Sequence, residues 1–130
     1  STGANRGFGT NMRILGPAVA ERFDLDYKQS DDIRTAIEAL RDGARIIVNV
    51  GGDREGYRGV FCDVGHYMVV ISGNDRELCL LDPMWDRRRY TALAQQGKVR
   101  MAGKFVCCAP EVLDQDASNR SPRYHIFRRR

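Results

Sequence analysis

The segment GHYMVVISGNDRELCLLDPMWD, residues 65–86, carries the strongest structural signal in the chain. Two apolar runs, HYMVVIS and ELCLLD, flank a polar Gly-Asn-Asp tip, the pattern of a β-hairpin. Histidine opens the first run and aspartate closes the second. A turn centred on Asn74 pairs His66 with Asp82, Met68 with Leu80 and Val70 with Leu78. Directly opposed residues have Cβ atoms about 4.5–5.5 Å apart, within reach of a carboxylate–imidazole hydrogen bond. A register one residue away places the two side chains on opposite faces. Both faces of the hairpin read as apolar, which predicts a central, covered element with its His–Asp pair at the mouth of a sheet.

Working outward, SDDIRTAIEALRDG (30–43) has the marks of a helix. Ser30 is the expected cap, Asp31 and Asp32 suit the positive end, Ile33, Ile37 and Leu40 form one stripe, and Gly43 ends it. TNMRILGPAVAERFDL (10–25) reads as an earlier helix, capped by Thr10 or Asn11 and interrupted or restarted at Pro17. ARIIVNV (44–50) reads as a buried strand. It runs into a loop with five glycines between residues 51 and 65, which reads as mobile or ligand-facing. Beyond the hairpin, YTALAQQG suggests a short helix, KFVCCA a strand, PEVLDQDASNRSP an extended connection and RYHIF a final strand. Helices thus precede a mainly antiparallel sheet in the second half of the chain, an α+β arrangement.

The 130 residues suit a single domain, 1–130. With 42% apolar and 29% charged residues and no apolar run of membrane-spanning length, the composition is that of a globular chain without a membrane segment. The first residues, STGANRGFG, lack the apolar core of a signal peptide, so the chain is expected to be processed, trimmed or part of something longer. The net charge of +4 is concentrated in DRRRY (86–90) and FRRR (127–130). No basic stripe with interleaved aromatics accompanies it, so no specific nucleic acid is implied, and a solvated basic surface is the simpler reading.

Cysteines stand at 62, 79, 107 and 108. Their spacing suits neither a disulfide framework nor zinc, and buried free thiols are the expectation. Cys62, four residues before His66, is about 13 Å away along an extended chain. The two meet only if the glycine-rich loop folds back, and packing beneath that loop is the simpler reading. His125, between Tyr124 and Ile126, reads as structural. Trp85 and Tyr57 read either as walls of a cleft or as packing.

A carboxylate that holds a histidine in one tautomer is half of the arrangement used in nucleophilic acyl transfer. GHYMVVIS followed by LCLLDPMW resembles the C39-like, papain-like cysteine peptidases, in which a Gly-His strand start precedes a strand ending in Asp-Pro. The likeness spans residues 30 to 83. It implies a papain-like α+β fold, with His66 as general base, Asp82 as its orienting partner, a peptide or protein substrate and no cofactor. It also implies a nucleophilic cysteine at the head of an earlier helix, preceded by an oxyanion-hole glutamine, and neither is found here. The nucleophile is therefore expected outside this chain, on a missing N-terminal segment or a second chain. The alternative is a catalytically inactive peptide-binding domain of the same fold.

Overall fold

A computed structural model describes residues 12–130, so the proposed caps Thr10 and Asn11 lie outside the described residues. The order is α1 (Met12–Arg22), β1 (Leu25–Ser30), α2 (Ile33–Arg41), β2 (Arg45–Val50), β3 (His66–Gly73), β4 (Leu78–Leu81), α3 (Arg87–Gln95), β5 (Arg100–Ala102), β6 (Phe105–Cys108), α4 (Pro110–Asp116) and β7 (Tyr124–Arg129). The strands form one seven-stranded sheet, ordered β1-β7-β2-β3-β4-β6-β5, with every neighbouring pair antiparallel. The architecture is mixed α+β. Helices do not simply precede the sheet, because α3 and α4 follow the central hairpin.

Residues 110–122 correct the expectation of an extended connection. Pro110 occupies the first turn of α4, where its missing N–H costs nothing and its fixed φ favours the helix. The polar strand β1, LDYKQS, carries too weak an alternation to mark it as a strand in sequence. It pairs along its whole length with β7, which enters the sheet between β1 and β2.

Helix α2 is the anchor of the main core. Asp32, rather than Ser30, is its cap and accepts from the Arg34 N–H at 2.9 Å, while Ser30 Oγ accepts from Asp32 N–H at 3.0 Å. At the other end Ala44 N–H reaches the Ala39 carbonyl and Gly43 N–H the Leu40 carbonyl, a Schellman closure. Between these ends, Ala36 and Ile37 pack with Ile46, Val48, Val50, Met68, Val70, Leu80, Val106 and Tyr124. Helix α1 continues through Pro17 and packs on β1 and β7.

The hairpin carries a two-residue correction. Val69 pairs with Leu81 and Val70 with Leu80; an irregularity follows, and Ser72 pairs with Cys79 and Gly73 with Leu78. Asn74 closes the tip by accepting the Arg76 and Glu77 amides at 2.8 and 3.1 Å. Its outer face is also less covered than expected, since Leu81 and its β6 partner Phe105 are 39% and 40% exposed.

Strand β4 also pairs with β6, which sets Cys79 against Cys107. These two are joined in a disulfide, correcting the expectation of four free thiols; Cys62 and Cys108 remain free. Leu80 lies between Val70 and Val106, with none of its surface exposed. Leu80→Ala should therefore destabilise the fold by about 2–5 kcal/mol in denaturant titrations, the cost of a core cavity, whereas a loss below 1 kcal/mol would contradict this packing.

Candidate active site

His66 is the first residue of β3 and Asp82 the first residue after β4. A shift of two residues preserves side-chain parity, so the two still face the same side as Met68 and Leu80. It makes them diagonal rather than opposite. The longer diagonal is spanned by the outer nitrogen of the ring: His66 Nε2 lies 2.8 Å from Asp82 Oδ1.

Asp82 is 3% exposed, and both of its oxygens are engaged. Oδ1 also accepts the Met84 amide at 2.8 Å, and Oδ2 accepts the Tyr90 hydroxyl. Trp85 N–H closes the turn onto the Asp82 carbonyl at 3.1 Å. Burial raises the carboxyl pKa, but the bonds from His66, Tyr90 and Met84 outweigh it and hold the group below its usual range. Burial likewise lowers the imidazole pKa, but the hydrogen bonds to Asp82 and Cys62 outweigh it and raise His66 to about 9. The result is a buried carboxylate facing a half-buried imidazolium.

Tyr90 was not singled out in the sequence. Asp86 caps α3 by accepting the Arg88 and Arg89 amides, which sets the helix so that the fully buried Tyr90 reaches Asp82. Burial first, then the hydrogen bond to Asp82 and its charge, raises the phenol pKa, so Tyr90 stays a donor to that carboxylate. Trp85 packs against the Tyr90 ring at 6.4 Å between centroids.

The loop before β3 does fold back. Cys62 Sγ accepts the Gly65 N–H at 3.1 Å, which brings the thiol to the residue before His66, and Cys62 is among the groups that raise the histidine's pKa. Gly65 has φ of +93°, which turns the chain sharply between the thiol and the histidine. At Gly59 a Cβ would fall 2.1 Å from the Cys62 carbonyl oxygen, so only glycine permits that approach. The fold of the loop thus supplies the proximity that linear spacing seemed to forbid.

Asp116, at the end of α4, fixes this loop from behind. Its Oδ1 accepts the Tyr57 hydroxyl and the Val60 amide, each at 2.8 Å, and the residue is fully buried. Arg54 stacks on the Tyr57 ring at 3.9 Å and donates to the Gln115 and Asp116 carbonyls of α4. Tyr57 is accordingly a packing residue rather than a cleft wall. Arg89 braces the other side, donating to the Val60 carbonyl at 3.3 Å and to Asp63 Oδ1 at 2.5 Å.

His125 lies apart from this group. It is 1% exposed in β7, with Nδ1 2.6 Å from the Tyr27 hydroxyl, and burial, aided by Arg13, lowers its pKa to about 4. It is a neutral core histidine. The C-terminal arginines are partly paired at the surface, Arg130 with Asp24 and Asp26 and Arg128 with Asp42. Among the described residues, Glu77, Cys79 and Cys107 form the one grouping with metal-ligand spacing, but its two sulfurs are bonded to each other. No helix among the described residues is long and apolar enough to cross a membrane. No family model, curated protein or solved structure matches this chain.

Two outcomes follow from the electrostatics. Asp82→Asn removes the charge but keeps the shape, so the His66 pKa should drop from about 9 towards 6.5 or lower in an NMR titration of the ring. An unchanged value would mean that the two groups do not interact. The pair also links stability to pH. His66, with its raised folded value, contributes stability that is complete below about 6.5 and lost as pH rises through about 9. Asp82, with its lowered value, contributes stability present above the ordinary carboxyl value of 3.8 and lost as pH falls. A plot of Tm against pH should therefore be high between these limits, and Asp82→Asn should flatten both shoulders.

Asp116 offers a separate check. Asp116→Ala orphans the Tyr57 hydroxyl and the buried Val60 amide, at a cost of roughly 1–3 kcal/mol for each donor. Equilibrium unfolding should show that loss, with hydrogen exchange accelerated across residues 57–62.

Proposed function

We propose that this chain carries the base-and-orienter half of a C39-like, papain-like cysteine peptidase or amidohydrolase site. The observation that carries this reading is the 2.8 Å contact between His66 Nε2 and the buried Asp82 carboxylate, itself held by the Tyr90 hydroxyl and the Met84 amide.

With Nε2 committed to Asp82, Nδ1 is the nitrogen left to exchange a proton with a thiol. The neutral form of His66 takes that proton as the sulfur attacks a peptide or amide carbonyl, and returns it to the departing amine. Asp82 keeps the ring in the tautomer and orientation that both transfers need and stabilises the imidazolium between them. Tyr90 and Met84 fix the carboxylate, so little reorganisation is required as charge develops. The order of Gly-His strand, return strand and Asp-Pro supports the likeness to the C39-like peptidases. That likeness places the nucleophile on a segment or chain beyond this one.

The reading predicts covalent acyl transfer that depends on the histidine. In the full-length chain, a peptidyl acyloxymethyl ketone should label one thiol, with His66→Ala slowing labelling by roughly 10²–10⁴-fold, the usual contribution of a general base. Asp82→Asn should slow it as well without unfolding the protein. Labelling at the same rate in all three proteins, or none in any, would leave a peptide-binding domain without this chemistry.

A further inference from the structure

Cys62 is where the chain's geometry parts from the expectation that the nucleophile lies elsewhere. Three observations converge on it. The thiol sits at the turn into His66, is among the groups that raise that histidine's pKa, and so bears on the ring that Asp82 orients through Nε2. The Gly65 N–H donates to its sulfur at 3.1 Å, a contact that strengthens as the sulfur becomes anionic. The segment that carries it is held on both sides, by Asp116 through the Val60 amide and by Arg89 through the Val60 carbonyl and Asp63.

Resting on the acyl-transfer reading above, we infer that Cys62 is the nucleophile of the His66–Asp82 site. In the neutral form of the ring, His66 Nδ1 takes the Cys62 thiol proton and the sulfur forms a bond to the carbonyl carbon. The carbon–nitrogen bond breaks as His66 passes the proton to the leaving amine, giving a thioester and a free amine. Water then loses a proton to His66 and adds to the thioester carbon. The carbon–sulfur bond breaks, the acid is released, and the proton returns to Sγ. No oxidant, metal or further reactant enters the balance.

The charged and titratable groups around the sulfur are His66 from β3, Arg89 and Tyr90 from α3, and Asp82 behind the histidine. His66 and Arg89 are the cations of this set, and Asp82 acts through the ring it holds. Cys62 is itself buried, at 8% exposed, and Cys108 is the other free cysteine. It is 3% exposed, and burial pushes its thiol pKa up to about 12, so it should be inert at neutral pH.

The test uses the full-length chain with three probes: iodoacetamide, a peptidyl acyloxymethyl ketone, and 4-nitrophenyl acetate as a generic acyl donor. Peptide mass mapping should find the alkyl and acetyl groups on Cys62. At pH 6, where an ordinary thiol of pKa near 8.5 is well under about 1% ionised, His66→Ala should alkylate at least about tenfold more slowly at this position. Cys62→Ser should abolish the nitrophenol burst while leaving the circular dichroism spectrum and Tm close to those of the parent. Cys108→Ser serves as the control and should leave the burst intact. A burst retained in Cys62→Ser, with His66-dependent labelling on another cysteine, would overturn the inference and leave the acyl-transfer reading standing. If no cysteine were labelled in a His66-dependent way, both would fall.

Discussion

A single carboxylate organises this molecule's candidate site. Asp82 leaves water almost completely and remains charged only because three donors surround it: the His66 ring, the Met84 amide and the Tyr90 hydroxyl. An isolated buried carboxylate would neutralise itself by raising its pKa. Here the donors reverse that tendency, and each comes from a different part of the chain. The carboxylate therefore fixes the start of β3, the turn after β4 and the rotation of α3 relative to one another. It specifies geometry as much as it stabilises it.

The loop of residues 51–65 extends this constraint to Cys62. Glycines allow the turns and close approaches, but they do not choose among the many conformations open to them. The choice is made by contacts with fixed partners: Asp116 of α4, which accepts from the loop's Val60 amide and Arg54 side chain, and Arg89 of α3. A loop that looks permissive in composition is thus held between two helices. Its positioning depends on α4, some fifty residues downstream.

Much of this was legible in the sequence, for a reason that also explains the errors. Alternation has a period of two, so the conclusion that His66 and Asp82 share a face survived a register error of two residues. The register itself was not legible, because an irregularity near Ile71 adds a residue to β3 and leaves a four-residue tip. Long-range partners left no local mark. Nothing around Cys79 announces that β6 will bring Cys107 beside it, and nothing near Asp82 announces Tyr90 on the following helix. Helix α4 could have been read from Pro110 and Glu111 in first-turn positions, but at seven residues it is too short to show a repeated apolar stripe. The proximity of Cys62 to His66 was hidden because extended-chain distance says nothing about a loop that reverses.

The central claim is that Asp82 holds His66 through Nε2 and leaves Nδ1 free to exchange a proton. Long-range ¹H–¹⁵N correlation spectra of the imidazole, recorded above pH 9 where the ring is neutral, report its tautomer directly. The account predicts a protonated Nε2 and an unprotonated Nδ1 at His66, with the preference lost in Asp82→Ala. A ring protonated at Nδ1, or one averaging between the two forms, would contradict it.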